Sequence, residues 1–254
     1  MTDDSFYNAV LIGIFLAALA SFASLMFATA PYGRHEGQRR AGPTLPVRVA
    51  WIVMESPSVF AFAYFFAVGA HSTQLVPLML FATWQAHYVH RTLIYPFQMR
   101  VGANSSMPVA VVAMGVIYNT ANSFVNATWI STYGAYPTGW LADPRFVVGL
   151  AVFVAGYVIN RHSDAVLRAL RKPGETGYKV PRGGLYEWVS CPNYLGELLT
   201  WTGWTIATWS LAGLSFAVFT AANLVPRALA NHRWYHDKFD DYPPARRAVI
   251  PYIL

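Results

Sequence analysis

An all-α integral membrane protein is the fold class the sequence predicts, with seven transmembrane helices, the N-terminus outside and the C-terminus in the cytosol. Three observations carry that prediction. The 254-residue chain is 55% hydrophobic and only 12% charged, with a mean hydropathy of +0.34, whereas soluble domains carry about 25% charged residues. Seven apolar runs long enough to cross a bilayer follow one another, at roughly 7–30, 47–70, 74–98, 107–129, 144–167, 193–210 and 212–231. The cations sort to one side of those runs. Arg34, Arg39, Arg40 and Arg48, then Arg91 and Arg100, then Arg161 through Arg182, then Arg227 through Arg247 all fall on inner segments, and only Arg145 of the eighteen Lys and Arg falls outside.

In chain order, the start MTDD is acidic and lacks the basic region of a signal peptide, so the apolar run behind it is expected to remain as the first span. The loop PYGRHEGQRRAGPTLP is rich in Gly, Pro and Arg and lies on the inner side. The second span carries Glu55 among Trp51, Ile52, Val53 and Phe60, and an intramembrane carboxyl is a functional candidate by default. Burial would favour its neutral, proton-donating form. In the third span Tyr88 and Arg91 lie one turn apart on a shared face. His87 and His90 could face headgroups or the loop and stay outside the catalytic set. The outer loop STYGAYPTGWLADPR carries Tyr133, Tyr136 and Trp140, with Phe146 just beyond, and reads as an interfacial aromatic belt.

The stretch from Asn160 to Trp201 interrupts the apolar pattern. Asn160, Asp164, Arg168 and Arg171 recur at spacings of four, four and three, which places them within roughly 80° of arc on one helix face. Pro173-Gly174 ends that helix, and a new one opens at Pro192, since proline suits the first helical position. There Asn193, Glu197 and Trp201 share a face. Two polar faces, a helix N-terminus and nearby arginines converge, an arrangement suited to a large anionic, hydrogen-bonding ligand. The run His162-Ser163-Asp164 is no hydrolase relay, because adjacent helical residues point about 100° apart. A single cysteine excludes an internal disulfide, no Cys/His cluster has zinc-ligand spacing, and the basic balance follows from the inner loops without calling for nucleic acid. The whole chain, 1–254, reads as one membrane domain.

The strings LRKPGETGYKVPRGGLYEWVSCPNYLGE and HRWYHDKFDDYPPARRAVIPYIL, with YGRH, AWIVMESPS and HYVHRT upstream, resemble the steroid 5-alpha-reductases. The resemblance spans nearly the whole chain. It implies an NADPH-dependent multi-pass membrane enzyme that reduces the 4,5 double bond of a 3-oxo steroid. It further implies that Glu55 and Tyr88 bind the steroid 3-oxo group, that Asn160, Asp164, Arg171, Tyr178, Asn193, Glu197 and Tyr235 contact NADPH, and that Arg91 lies near the phosphates. Arg168 and Trp201 join the cofactor set through their shared helix faces. Where the family often has Gln before the Glu, this chain has Met54, which cannot donate a hydrogen bond. No GxGxxG motif is present, so a dinucleotide would lie between helices and not on a Rossmann domain. The expected partners are a steroid or related lipid enone and membrane lipid, with the chain a monomer in a bacterial inner membrane or the endoplasmic reticulum. Two other classes share some of these features: an S-adenosylmethionine-dependent isoprenylcysteine-type methyltransferase, which carries a PNYLGE-like string, and a non-catalytic sterol-binding membrane protein. The RKPGE loop and the Glu55/Tyr88 pair speak against the first, and the row of phosphate-type ligands against the second.

Overall fold

The computed structural model describes residues 3–27, 42–102, 105–170, 175 and 177–254. It is mostly helical. Eight α-helices run in the order α1 (Asp3–Phe27), α2 (Val47–Ala67), α3 (Leu75–Val89), α4 (Tyr95–Gln98), α5 (Val109–Thr128), α6 (Pro144–Ala169), α7 (Pro192–Thr208) and α8 (Leu211–Lys238). Two three-residue strands, β1 (Thr44–Pro46) and β2 (Ser106–Pro108), pair antiparallel just before α2 and α5, with Leu45 opposite Met107. Five helices are long and apolar enough to cross a membrane: α1, α2, α5 with its continuation to Tyr133, α6 and α8. Helix α3 has 15 residues and α7 has 17, so these two fall short of a full span by themselves. α3 continues through a π-turn at His90–Ile94 into α4, and the composite reaches Gln98.

Proline and its consequences shape α2. Pro57 sits inside the helix and cannot donate to the carbonyl four residues back. That carbonyl, of Val53, instead accepts from the Ser56 hydroxyl at 2.9 Å. Neighbouring carbonyls are also engaged from outside the helix: Met54 O by Asn119 Nδ2 at 2.7 Å, Ser58 O by Trp84 Nε1 at 2.8 Å and Val59 O by Gln85 Nε2 at 3.0 Å. Side-chain donors from α3 and α5 therefore fasten α2 on both sides of Glu55, which is how apolar helices gain orientation where no hydrophobic difference drives them together. At the end of α3, Pro96 again lacks the amide that a regular helix requires. The chain accommodates it with the π-turn, in which Tyr95 N bonds His90 O, and this turn carries Arg91.

Helices α6 and α7 pack backbone to backbone. Gly149 and Gly156 on α6 face Gly203 and Gly196 on α7, each pair seven residues apart. A Cβ on Gly156 would sit 2.6 Å from the Gly196 carbonyl oxygen, and one on Gly196 would sit 2.5 Å from the Asn160 amide nitrogen. Small residues that allow such approach are the usual solution between membrane helices. Here they bring the polar end of α6 against the start of α7. Gly156→Ala and Gly196→Ala should each lower the thermal unfolding midpoint in detergent, by the equivalent of about 1–3 kcal/mol for overpacking. Gly139→Ala, where a Cβ meets nothing within 4 Å, is the control. Equal midpoints in all three would remove the close-packing account.

The loop between α5 and α6 departs from the aromatic-belt expectation. Tyr136 and Trp140 are buried: the Tyr136 hydroxyl donates to Thr208 O at 2.7 Å, and Trp140 Nε1 donates to Ala207 O at 3.1 Å. They tie this loop to the end of α7, whose last carbonyls have no helical partner. Asp143 caps α6 by accepting from Arg145 N at 2.8 Å and pairs with the same residue's guanidinium. The Arg145 hydrogen bonds hold the Asp143 carboxyl down to about 2. Arg145 also lies over the Trp140 ring, so this cation is paired and stacked.

Before α7, the C-terminal tail braces the connecting loop. Ser190 N donates to Arg247 O and Cys191 N to Ala248 O, while buried Arg246 donates from Nη1 to Pro181 O at 3.0 Å. This fixes the entry to α7, which opens with Pro192 at its first turn.

Candidate active site

Arg91 is the centre of the polar cluster inside the helices. Its Nε donates to Glu55 Oε1 at 3.0 Å and its Nη1 donates to Glu197 Oε1 at 3.0 Å. One guanidinium thus joins α2 to α7, and its fork suits two acceptors at once. The Trp51 ring lies 5.0 Å from the guanidinium carbon. Glu55 and Glu197 are both buried, whereas the Arg91 side chain is 30% exposed, toward the polar pocket.

Glu197 is the most heavily paired group. Besides Arg91 it accepts from Asn160 Nδ2 at 3.2 Å and, through Oε2, from Trp201 Nε1 at 3.0 Å. Asn160 Nδ2 also reaches Asn193 O at 3.0 Å, and Asn193 Nδ2 donates to Asp164 Oδ1 at 3.3 Å. The glycine contacts account for this meeting, since Asn160 follows Gly156 by one turn and lies against Gly196. Tyr88 is buried with its ring between Trp84 at 4.9 Å and Trp201 at 5.5 Å. Its phenol lies beside the Ser58 hydroxyl.

A narrow polar pocket opens onto this cluster, lined by His87, His90, Arg91, Tyr95, Tyr157, Asn160, Arg161, Asp164 and Glu197. A groove with about 190 Å³ of room adjoins it, where Asp164 and Arg168 meet Tyr95, Met99 and Arg100. Several buried polar atoms around them have no hydrogen-bond partner among the described residues: both His87 ring nitrogens, His90 Nε2, Trp51 Nε1 and Arg168 Nη1. Orphaned donors and acceptors at such density are costly unless a ligand or water meets them.

Of the residues singled out from sequence, Glu55, Arg91, Asn160, Asp164, Asn193, Glu197 and Trp201 form one connected network, with Tyr88 packed against it and Arg168 in the adjoining groove. Arg91 sits between two carboxylates at the inner end of the pocket, whereas the neighbouring groove holds Arg100 and Arg168. Glu55 Oε1 accepts from the Arg91 guanidinium, so this carboxyl is paired and not isolated among apolar side chains. Tyr178 and Tyr235 belong to a separate aromatic group: Tyr178 meets Trp234 edge-on at 4.9 Å, and Tyr235 stacks on Tyr242 at 5.1 Å. Arg171 and the YGRH segment lie outside the described residues. Sequence reasoning missed Tyr95, Tyr157 and His87 as pocket residues. The signal was present, because Tyr157 precedes Asn160 by three residues, and His87 and Tyr95 flank Arg91 at four on either side.

Comparison with known proteins gives the family. The family model described as 3-oxo-5-alpha-steroid 4-dehydrogenase matches residues 105–254. The chain is 39% identical over 254 residues to a steroid 5-alpha-reductase of Solanum lycopersicum, covering 99% of this chain and 98% of the relative. It is 42% identical over 239 residues to a 3-oxo-5-alpha-steroid 4-dehydrogenase 1 of Rattus norvegicus (93% and 91% covered) and 41% identical over 241 residues to that of Homo sapiens (92% and 90%). Similarity of this extent, over a chain whose buried acids, tyrosine and arginine converge between apolar helices, makes it a member of the 3-oxo-5-alpha-steroid 4-dehydrogenase family.

Proposed function

We propose that this protein is an NADPH-dependent membrane reductase that saturates the 4,5 double bond of a 3-oxo-4-ene steroid, with Glu55 and Tyr88 at the 3-oxo oxygen. The observation that carries the reading is the Arg91 clamp, which joins Glu55 on α2 to Glu197 on α7 and so puts two chemically different ends in one cluster. Bound NADPH would supply the hydride, delivered to C5. The residues fit such a group. Arg100, Arg161 and Arg168 stand near the pocket and groove for phosphates, Asn160, Asp164 and Asn193 offer amide and carboxylate groups for ribose and nicotinamide, and the orphaned atoms of His87, His90 and Arg168 await partners. Arg171, Tyr178 and Tyr235 complete the cofactor set in this reading.

Reduction of an enone builds negative charge on the distant carbonyl oxygen as hydride arrives at the beta carbon. Donors aimed at that oxygen stabilise the transition state more than the ground state. The Tyr88 phenol is one such donor. The second is the Glu55 carboxyl in its neutral form: one oxygen is held by Arg91 Nε, and the other carries the proton offered to the substrate oxygen. The aromatic wall of Trp84, Trp201 and Phe216 excludes water from the reacting atoms.

The same reading sets the protein in its membrane as one seven-span domain, with α3–α4 and α7 as the two shorter crossings. The N-terminus lies outside and the pocket opens to the cytosol, where NADPH is made. Cysteine labelling should reach Thr138 and Glu175 from opposite sides of sealed vesicles; labelling of both from one side removes the seven-span topology. The activity itself is tested on detergent-purified protein by titration with NADPH and, separately, S-adenosylmethionine, followed by loss of NADPH absorbance on adding a 3-oxo-4-ene steroid. Binding of S-adenosylmethionine in place of NADPH would overturn the assignment.

A further inference from the structure

His87 is the most thoroughly unpartnered polar side chain in the cluster. It is 97% buried, both ring nitrogens lack a hydrogen bond among the described residues, and it lines the pocket beside Asn160 and Glu197. Its ring is held on three sides without polar contact: edge-on to Trp201 at 4.7 Å, to Tyr88 at 5.1 Å and to Tyr157 at 5.8 Å. Packing therefore fixes the imidazole while leaving its donor and acceptor free. Its Nε2 stands 3.8 Å from Glu197 Oε2, too far for a hydrogen bond between them. A planar group carrying both a donor and an acceptor would bridge that gap. An imidazole has an N–H to give, and a carboxylate has lone pairs to receive.

We infer that His87 and Glu197 together read a carboxamide, the one on the nicotinamide ring, with His87 donating to its oxygen and Glu197 accepting from its nitrogen. The inference rests on the NADPH reading above and adds a positioning residue to it. Hydride has to travel from the nicotinamide to a substrate held at Glu55 and Tyr88. His87 lies next to Tyr88 in sequence and touches it in space, so a carboxamide held here sets the reactive face of the ring toward that end. Asn160 cannot serve as the oxygen's donor without giving up Asn193 O or Glu197 Oε1, which its amide already holds. Trp201 Nε1 is likewise spent on Glu197.

The test uses the full chain in detergent and three ligands: NADPH, its 3-acetylpyridine analogue, which keeps the carbonyl but lacks the amide nitrogen, and the 2′-phospho-ADP-ribose fragment, which lacks the ring. His87→Phe keeps the aromatic packing and removes both nitrogens. It should weaken NADPH and the acetylpyridine analogue by a similar factor, about 3- to 10-fold for one buried neutral hydrogen bond, and leave the fragment unchanged. Wild-type protein should bind the analogue less tightly than NADPH, because Glu197 loses its donor. Equal weakening of all three ligands, or of none, overturns the inference: the first makes His87 a packing residue, and the second makes it a group met only by a bridging water. Should His87→Phe fail to fold, His87→Gln, which retains a donor, is read by the same titrations and should recover most of the NADPH affinity. If wild-type protein binds the fragment but gains nothing from the ring, the carboxamide site is wrong while the phosphate site stands; if it binds none of the three, the NADPH reading fails as well.

Discussion

Tyr88→Phe and Glu55→Gln are each expected to slow hydride transfer to a 3-oxo-4-ene steroid by about 10²–10³, the usual cost of losing one donor at a developing oxyanion. NADPH binding should be little changed by either. Tyr88→Phe is the cleaner of the two, because its ring packs on Trp84, Trp201 and His87 through carbon atoms that phenylalanine retains. In Glu55→Gln the carboxylic acid gives way to an amide, a weaker donor that also changes the group held by Arg91, so its loss should fall at the lower end of that range. If both groups act on the same oxygen, the double variant should lose less than the product of the single losses. Asn193→Ala should behave differently and weaken the cofactor first, since the Asn193 side chain holds Asp164, which lines the pocket. Stopped-flow loss of NADPH absorbance, beside direct titration of the cofactor, separates these cases. Normal turnover in both Tyr88→Phe and Glu55→Gln would return these residues to packing and helix association.

Much of the architecture was legible because membrane helices announce themselves by length and apolarity, and because proline marks where they start. The start of α7 at Pro192 and the shared face of Asn193, Glu197 and Trp201 follow from spacing alone. Spacing does not say which helices become neighbours. Nothing local to Arg91 tells that its fork would meet one carboxylate from α2 and one from α7, residues 36 and 106 positions away. The π-turn that carries it arises from Pro96, visible in sequence, but its effect on where the side chain points is a property of the folded neighbours. The Gly149/Gly156 and Gly196/Gly203 repeats were also in plain view. Their meaning depends on the two helices facing each other, which pattern reading within one helix does not reveal. The aromatics of the outer loop were misjudged for a related reason. Tyr136 and Trp140 look like belt residues by composition, yet open carbonyls at the end of α7 give their polar tips a better partner than interfacial water.

The charge cluster leads to the second large effect. Arg91→Met should destabilise the protein strongly, on the order of 3 kcal/mol, the lower part of the range for breaking a buried ion pair, because the pocket admits some water to the guanidinium. Two buried carboxylates would then face each other with no cation hydrogen-bonded to either among the described residues. Their losses are not equal. Glu197 keeps donors in Asn160 and Trp201, whereas Arg91 is the one side chain seen to donate to the Glu55 carboxyl among the described residues. Neutralising Glu55 in the same background should therefore restore more stability than neutralising Glu197. The expected order of thermal midpoints in detergent is wild type, then Arg91→Met with Glu55→Gln, then Arg91→Met with Glu197→Gln, then Arg91→Met alone. Methionine matches much of the arginine stem and avoids a cavity that would blur the comparison. If neither second substitution recovers stability, Arg91 acts through packing against Trp51 and not through its charge. If Glu197→Gln rescues better, the Glu55 carboxyl is held by partners other than Arg91.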